Sequence, residues 1–419
     1  MGVKAVEGLV IPKVPTLADL DIAKKKTFMR IDINVPIEPE SGEILDDRRI
    51  REHAKRIKEV VERFSPALVL GSHQGRPGEH GFVTLERHAA LLAKYSGLDV
   101  KFVGDVIGPE ARRAMEALRP GEVLLLDNLR MASEEVMEGP MERQASTIFA
   151  RRLAELCEAY VNDAFATAHR SQPSIVGLPL LLPSALGPLF EEELEAVKRA
   201  LEAREGPRVY VLGGAKVHEL MRVVENLVRN KLADRILTTG LVAQVFLAAK
   251  GANIGRANVE LLNELGLTSL VARARHVLLR GAPIETPIDF KTVRDGEVRN
   301  EPLGSISGRI VDIGENTANI FSNMIREASV VVMKGPAGIV EEPAQREGTA
   351  RLLEALLSGR AYGLIAGGQL ASMVDPSRLG QRVHVTTGPN ALLLLLSGEE
   401  LPALKALELS AKMFLGWKL

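Results

Sequence analysis

The sequence predicts an α/β protein of two doubly wound, Rossmann-like domains, each built on a parallel sheet and joined by a hinge helix. At 419 residues the chain is too long for one ordinary domain. Short apolar runs alternate with amphipathic helices in both halves, which is the pattern of βαβ units. The apolar runs, such as PALVLG and EVLLLDN, lack strict alternation, as expected for parallel strands covered by helices on both faces.

The first half opens with FMRIDINVP, which is predicted to be one strand with Arg30, Asp32 and Asn34 on the same face. Three polar side chains on one face of a buried strand indicate contact with a ligand or with one another. An amphipathic edge strand is the alternative. The predicted elements that follow are the helix after LDDRRIR, the strand PALVLG, the helix LERHAALLAKYSG, the strand DVKFVGD, the helix PEARRAMEALRPG and the strand EVLLLDN.

The second half repeats the pattern. Its predicted strands are RVYVLGG, DRILTTG, HVLLR, SVVVMKG, AYGLIAGG and RVHVTTG, with helices between them. Between the halves, GPLFEEELEAVKRALEAREG is charged, helix-forming and bounded by Gly-Pro pairs. A long exposed helix there would be a stiff connector between domains, with an ordinary solvated surface helix as the alternative.

These patterns predict three regions. An N-terminal domain spans residues 1–186, a hinge helix spans 187–206, and a C-terminal domain spans 207–404. The tail, residues 405–419, contains the only tryptophan, Trp417, and is expected to pack back on the first domain.

Composition excludes several classes of protein. The 53 Lys and Arg residues nearly balance the 54 Asp and Glu residues, so non-specific nucleic-acid binding is not expected. The longest apolar run, ALLLLLSG, is too short to span a bilayer, and no membrane partner is predicted. Cys157 is the single cysteine and is expected to pack in the interior. The chain is expected to be a cytoplasmic monomer.

Cations in the first half follow or interrupt apolar runs. They are Arg30, Arg49, His73, Arg76, Arg130, His169 and Arg170. A cation just past the carboxyl end of a parallel strand points into the crevice where open α/β sheets bind ligands. Several such ends predict one pocket for a small, multiply charged anion, although Arg49 taken alone is typical of a surface arginine. The histidine spacing does not fit a zinc site.

The second half offers glycine turns at its strand ends. In VYVLGGAKV a strand, a tight turn and a helix bring backbone N–H groups and Lys216 together, which suits a phosphate. A turn that only packs is the alternative, because the pattern is neither a P-loop nor GxGxxG. Glu341 and Glu342 either bond ribose hydroxyls or form a solvated acidic turn. The candidate nucleotide-binding residues are Gly213, Gly214, Lys216, Gly240, Lys334, Gly335, Pro336, Gly338, Glu341, Gly367, Gly368 and Gln369. Two anion sites in two halves indicate phosphoryl transfer.

Taken together, these segments resemble the phosphoglycerate kinase family, in its archaeal-like branch, over nearly the whole chain. The motifs that carry the resemblance are RIDINVP, DDRRIR, GSHQGRP, GEVLLLDNLR, YVNDAFATAHR, LGGAKV, DIG and KGPAGIVE. The resemblance implies two α/β domains and a hinge that closes during reaction. It also implies reversible phosphoryl transfer between 1,3-bisphosphoglycerate and ADP, giving 3-phosphoglycerate and ATP in glycolysis and gluconeogenesis.

The resemblance also implies residue roles. Asp32 and Asn34 match residues that hold the glycerate. Its phosphate and carboxylate binders are matched by Arg49, His73, Arg76, Arg130, His169 and Arg170, and Arg30 is a further candidate substrate-binding residue. Arg49 and Lys216 match the catalytic cations that meet at the transferred phosphoryl group. Mg²⁺ is expected to enter with ATP or ADP through the nucleotide phosphates, with no metal site on the protein itself. Such chemistry needs cations to neutralise charge on the equatorial oxygens.

The second half departs from the family pattern. The second lysine of the GGAK motif is absent, and Leu220 stands there. Met333-Lys334 replaces Trp-Asn, and Lys334 offers a replacement cation. Gln369 stands where an aspartate linked to the metal-nucleotide often lies.

Pro389 and Asn390 replace two glycines of a further turn, and proline removes a backbone donor. These departures leave one alternative open, a catalytically weakened homologue that binds 3-phosphoglycerate as an interaction protein. A nicotinamide-dependent oxidoreductase is disfavoured, because no GxGxxG with a downstream acidic residue is present.

Overall fold

The computed structural model describes residues 11–202 and 206–418. These residues form two compact units, an N-terminal unit of 11–194 with 400–418 and a C-terminal unit of 195–399. Each unit contains one six-stranded parallel sheet, which confirms the predicted fold class. Residues 1–10, residues 203–205 of the predicted hinge and Leu419 of the predicted tail lie outside the described residues.

The N-terminal unit carries its sheet in the order β3-β4-β2-β1-β5-β6. Strands β1, β2, β4 and β5 therefore lie side by side, and their buried side chains form the core with the helices. Its elements are β1 (Lys26–Arg30), α1 (Arg48–Phe64), β2 (Ala67–Gly71), α2 (Glu86–Ser96), β3 (Val100–Val103), α3 (Pro109–Ala117), β4 (Val123–Leu126), α4 (Met141–Ala145), α5 (Ile148–Leu156), β5 (Ala159–Asn162) and β6 (Ser184–Leu186).

Strand β1 is shorter than the sequence predicts, since its last residue is Arg30. Asp32 and Asn34 lie in the loop that follows it. The backbone N–H groups beyond the strand are taken by side chains. Ile33 N–H donates to Ser72 Oγ at 3.0 Å and Val35 N–H donates to Gln74 Oε1 at 3.0 Å. The predicted shared strand face is therefore wrong, because side-chain acceptors replace the ladder partners that a longer strand would need.

The connector between the halves is helix α6 (Pro188–Glu202). The prediction of a long exposed helix is wrong for the described part of the segment. Leu189, Phe190, Leu194 and Val197 are buried, as are further apolar residues toward its end. Their spacing places them along one side of the helix, and burial of that apolar stripe outweighs the charged composition of the segment.

The C-terminal unit carries its parallel sheet in the order β15-β14-β13-β7-β8-β9. Its elements are β7 (Arg208–Leu212), α7 (Val217–Arg229), β8 (Arg235–Thr238), α8 (Gly240–Ala249), α9 (Arg256–Glu264), α10 (Ser269–Leu279), β9 (Ile284–Glu285), β10 (Asp289–Arg294), β11 (Glu297–Pro302), β12 (Arg309–Ile313), α11 (Glu315–Glu327), β13 (Val330–Lys334), α12 (Glu347–Ser358), β14 (Tyr362–Ala366), α13 (Gly368–Ser372), β15 (Val383–Thr386) and α14 (Pro389–Leu396).

Two features of this unit differ from the sequence prediction. The run HVLLR belongs to helix α10 rather than to a strand, because Leu270, Ala274 and Val277 are buried at helical spacing. A three-stranded antiparallel sheet, β11-β10-β12, was not predicted. Its hairpin turns at Asp295 and Gly296, both with positive φ, and this Asp-Gly pair is the sequence signal that would have found it.

The chain ends with helix α15 (Pro402–Phe414), which packs within the N-terminal unit. Ser410 Oγ donates to the Leu182 carbonyl at 2.8 Å, and Ala403 N–H donates to the Ala168 carbonyl at 3.1 Å. The ammonium group of Lys13 lies 4.8 Å from the ring centre of Trp417. In the described part of the chain, every helix is too short or too polar to cross a membrane.

Candidate active site

The predicted cations of the first half converge at the carboxyl edge of the N-terminal sheet. Arg30 ends β1, His73 and Arg76 follow β2, Arg130 follows β4, and Arg170 follows β5. Because these four strands are neighbours and parallel, the segments after them meet at one edge. We call these five residues with Asp32 and Arg49 the basic cluster.

Asp32 anchors the cluster on one side. Its Oδ2 accepts a hydrogen bond from Arg49 at 2.6 Å, and its Oδ1 lies 3.8 Å from Nδ1 of His73. Asp32 is only 4 % exposed. Burial alone would raise its pKa, but Arg49, His73 and Arg30 outweigh burial and lower the pKa to about 2. Asp32 is therefore a carboxylate that holds Arg49 in place at any physiological pH.

Arg30 lies inside the protein rather than at its surface, with 0 % of the residue exposed. Its Nε donates to Ser174 Oγ at 2.9 Å, its Nη1 donates to the carbonyls of Ile31 and Gly71, and its Nη2 lies 3.2 Å from Nδ1 of His73. The guanidinium therefore contacts protein groups on every side, and one of them is the cluster histidine.

The contact with Arg30 fixes the tautomer of His73. A guanidinium only donates, so Nδ1 of His73 must accept and the ring proton lies on Nε2. Burial holds the pKa of His73 well below its usual value. The negative charge of Asp32 acts to raise this pKa, and the positive charges of Arg30, Arg130 and Arg170 act to lower it further. The imidazole is neutral at pH 7, and Nε2–H is its donor for an anion.

Arg130 and Arg170 share the electrostatic field of the cluster. Arg130 donates to the Gly75 carbonyl, and burial together with Arg170 and Arg30 lowers its pKa to about 10. Burial also lowers the pKa of Arg170, whose Nε has no hydrogen-bond partner among the residues described. Arg76 is exposed and near enough to lower both of these pKa values. The combined positive charge of these three arginines favours an anion at this edge of the sheet.

Asn34 and His169 are the remaining predicted residues of this half. Asn34 Oδ1 accepts from Gly75 N–H at 2.9 Å, which ties the loop after β1 to the loop after β2. Asn128 braces the second loop from β4, since its Nδ2 donates to the Gln74 carbonyl at 2.7 Å and its Oδ1 accepts from Gln74 N–H at 3.1 Å. His169 is half-buried beside Arg170.

Sequence reasoning missed a buried carboxylate behind the cluster. Glu135 is 0 % exposed, and its two oxygens accept from the Oγ and the backbone N–H of Ser174. Ser174 in turn accepts from Arg30, so Glu135, Ser174, Arg30 and His73 form one hydrogen-bonded chain. Burial raises the pKa of Glu135, while Arg30 and the Ser174 donors act in the opposite direction. In the sequence, Glu135 gave no signal, because a Glu-Glu pair in a turn is typical of a solvated surface.

Sequence reasoning also missed a set of contacts between the end of β1 and the connector helix α6. Asp32 N–H donates to Nε2 of His53 at 3.1 Å, and Nδ1 of His53 lies 3.2 Å from Oδ2 of Asp163. The other oxygen of Asp163 accepts from the backbone N–H groups of Leu189 and Phe190 at 2.7 and 3.1 Å. The end of β1 is thus linked through two buried side chains to the first turn of α6.

In the C-terminal unit, the predicted glycine turns meet at the carboxyl edge of the second sheet. A Cβ on Gly213 would lie 2.1 Å from Thr239 Oγ1, and a Cβ on Gly335, whose φ is +78°, would lie 2.0 Å from the Gly213 carbonyl oxygen. The turns after β7, β8 and β13 therefore pack backbone against backbone, which only glycine permits. The structure brings together the turns of Gly213-Gly214, Gly240 and Gly335-Pro336.

Two unusual residues of this half have contacts that the sequence did not indicate. Asn390 Oδ1 accepts from the Lys216 ammonium at 2.8 Å, and Gln369 Nε2 donates to Glu341 Oε1 at 2.9 Å. Pro389 is the first residue of α14. A proline loses little there, because the N–H at that position has no partner within the helix.

Lys334 ends β13 and is only 7 % exposed. Burial and the nearby charge of Lys216 lower the pKa of Lys334 to about 8, although the negative charge of Glu219 acts to raise it. Leu220, at the position of the missing lysine, is fully buried in α7. Among the described residues, no group of three or more His, Cys, Asp or Glu is placed to hold a metal ion.

Comparison with known proteins identifies the family. The family model described as phosphoglycerate kinase matches residues 17–399. The chain belongs to the phosphoglycerate kinase family.

Individual relatives agree with this result, archaeal ones included. The phosphoglycerate kinase of Saccharolobus solfataricus is 49% identical over 399 residues, covering 95% of this chain and 97% of that protein. A crystal structure of phosphoglycerate kinase from Pyrococcus horikoshii OT3 superposes with a TM-score of 0.86 at 36% identity, covering 95% of this chain and 100% of that one. The structure from Coxiella burnetii gives a TM-score of 0.78 at 29% identity, covering 95% and 99%.

Proposed function

We propose that this chain is a phosphotransferase that moves a phosphoryl group reversibly between 1,3-bisphosphoglycerate and ADP, yielding 3-phosphoglycerate and ATP. The observation that carries the proposal is the basic cluster at the carboxyl edge of the N-terminal sheet, in a chain of the phosphoglycerate kinase family. The positive charge gathered there favours a bound anion. The reaction belongs to glycolysis and gluconeogenesis.

The basic cluster binds 3-phosphoglycerate, which carries a carboxylate at one end and a phosphate at the other. Arg130, Arg170 and Arg76 supply guanidinium groups that suit the oxygens of phosphate and carboxylate. His73 supplies a neutral Nε2–H donor, and Asp32 holds Arg49. Arg49 then places its charge where the acceptor carboxylate lies. His169 and Asn34 complete the rim of this pocket.

The glycine turns of the C-terminal unit bind the nucleotide phosphates, and Lys216 accompanies the phosphoryl group in transfer. Gly338 and the pair Gly367-Gly368 extend the same edge, while Glu341, held by Gln369, faces the ribose. Mg²⁺ would arrive with the nucleotide, held through its phosphate oxygens. Bound there, Mg²⁺ neutralises charge on the phosphate oxygens.

The residues act by position and charge. In the direction of ATP consumption, a carboxylate oxygen of 3-phosphoglycerate attacks the terminal phosphorus. The bond from that phosphorus to the bridging oxygen breaks, and ADP leaves with the electron pair. No proton moves, so the site needs no general base. Because the two substrates are assigned to different units, transfer requires the hinge to close, as family membership implies.

The alternative of a weakened homologue has less support. Lys216 and every predicted binder of the first half are present, and the relatives are named phosphoglycerate kinase. The structure gives Asn390 and Gln369 defined partners and places Pro389 where a proline is tolerated.

The test is steady-state formation of the acyl phosphate from 3-phosphoglycerate and MgATP, with Lys216→Ala as the inactive control. We expect robust turnover that collapses in the variant. Binding of 3-phosphoglycerate without turnover in the wild-type chain would instead establish the weakened homologue.

A further inference from the structure

Among the described residues of the C-terminal unit, Lys334 is the only lysine or arginine that is buried. Its side chain is more than nine-tenths buried, yet within residues 11–202 and 206–418 it forms no hydrogen bond or ion pair. An ammonium on a mostly buried side chain that has no protein partner is costly, because burial removes part of its hydration and no ion pair or hydrogen bond replaces it. Buried Arg30, by contrast, places its donors on four different groups.

The position of Lys334 shows which ligand would supply the missing partner. It is the last residue of β13, level with Leu212 at the end of β7 and Ala366 at the end of β14. Its Nζ lies 3.2 Å from the point that a Cβ on Gly367 would occupy. The ammonium therefore lies at the carboxyl edge, between the glycine turn that precedes Lys216 and the turn of Gly367-Gly368.

Charges near Lys334 make the argument stronger. Lys216, beyond the end of β7, repels it, and Glu219 on α7 is the acidic group that attracts it. The turn after β14 brings glycines and the neutral Gln369. Two lysines whose charges repel at the edge of a sheet are stabilised by an anion that contacts both, and glycines allow that anion to approach closely.

We propose that Lys334 is a catalytic cation that contacts the phosphoryl group during transfer, together with Lys216. This proposal rests on the proposed function and assigns to Lys334 the charge that the family places at the position of Leu220. The non-bridging oxygens of the transferred group accept hydrogen bonds from the Lys334 ammonium. Leu220 is buried in the core, so α7 itself offers no cation there.

This assignment does not change which bonds form and break in the transfer step. The phosphorus–oxygen bond to ADP breaks as the bond to the glycerate carboxylate forms, and Lys334 keeps all its protons. Its role is to offset negative charge that spreads over the equatorial oxygens, so its effect is expected on turnover more than on ground-state binding.

The experiment compares Lys334→Met and Lys334→Arg with the wild-type chain, and uses Lys250→Met as a matched control. Lys250 is exposed in the same unit and donates to Thr286 Oγ1. We expect Lys334→Met to lower kcat on the order of 10²-fold, with the KM values for MgATP and 3-phosphoglycerate changed only a few-fold. Lys334→Arg should recover part of the loss, and Lys250→Met should match the wild type.

Two further readouts separate catalysis from packing. Without ligand at pH 7, Lys334→Met should raise the melting temperature, because it removes an unpaired buried charge. A residue needed only for packing would give a decrease. In the wild type, kcat/KM should fall as pH rises through about 8, where free Lys334 loses its proton, and Lys334→Arg should move that fall to higher pH.

The outcomes distinguish this proposal from the proposed function. A wild-type chain that turns over, with a Lys334→Met variant that keeps its kcat, would overturn only the role of Lys334. A rise in the KM for MgATP at unchanged kcat would also overturn it, in favour of simple nucleotide binding. Absence of turnover in the wild type would overturn both.

Discussion

The two candidate sites lie at the same edge of similar sheets, yet they are built differently. In the N-terminal unit, charged side chains are held by other buried side chains, as Asp32 holds Arg49 and Ser174 holds Arg30. In the C-terminal unit, backbone turns pack against each other through glycine, and Lys334 has no partner among the residues described.

This difference corresponds to different ligands. A rigid network of side chains is organised before binding, which suits a small anion of fixed shape whose two charged ends must be located. An edge of glycine turns offers backbone N–H groups and close approach, which suits a chain of phosphates. We therefore expect the first site, apart from the catalytic cation Arg49, to set affinity for the glycerate and the second to set the rate of transfer.

The largest expected effect tests this division directly. Lys216→Ala should lower kcat on the order of 10²- to 10³-fold and leave the KM for 3-phosphoglycerate within a few-fold. Arg170→Met should raise that KM by roughly 10- to 100-fold, the cost of one charged hydrogen bond, with a smaller change in kcat. Steady-state kinetics with each substrate varied measures both. Equal effects on kcat and KM in the two variants would remove the distinction between the sites.

A smaller effect tests whether Glu135 stabilises the basic cluster through Ser174 and Arg30. Glu135→Gln should lower the unfolding free energy by about 2 kcal/mol, because the two Ser174 donors bond different oxygens of Glu135 and the amide nitrogen that replaces one of these oxygens cannot accept. It should also weaken 3-phosphoglycerate binding several-fold through Arg30 and His73. Denaturant unfolding and calorimetric titration measure the two quantities.

The control for this prediction measures the tautomer and the pKa of His73. In the wild type, His73 should remain neutral and protonated on Nε2 well below pH 6.5. Nitrogen NMR of the imidazole should show this tautomer, and Glu135→Gln should move the pKa of His73 or mix the tautomers. A variant that is less stable but leaves the His73 resonances unchanged would mean that Glu135 supports only the core.

The sequence predicted the parts of both sites that follow from strand ends. His73, Arg76, Arg130 and Arg170 could be placed together because parallel strands end at a common edge, whatever the detailed packing. The same reasoning located the glycine turns, including that of Gly213-Gly214. Each of these predictions depends only on residues next to a recognisable apolar run.

What could not be predicted depends on partners distant in sequence. Arg30 is buried because Ser174, 144 positions away, accepts from its Nε. The end of β1 depends on acceptors from His53, Ser72 and Gln74, which no local pattern reveals. Helix α6 appeared exposed by composition, although an apolar stripe along it is buried. The sequence offered Lys334 as a replacement cation, but only the structure shows that it lacks a partner.

The smallest expected effect concerns Asn390, the departure from the family pattern that contacts a proposed catalytic group. Asn390→Gly restores the glycine of the family and removes the 2.8 Å hydrogen bond to Lys216. Lys216 is exposed, so water replaces the lost acceptor at little cost. We expect kcat to change by less than about 3-fold, since a bound phosphoryl group competes with Asn390 for the same ammonium. An increase beyond that range would show that Asn390 restrains Lys216 in the resting enzyme. A large decrease would show that the amide positions Lys216 for transfer, and the C-terminal site would then share the side-chain organisation of the N-terminal one.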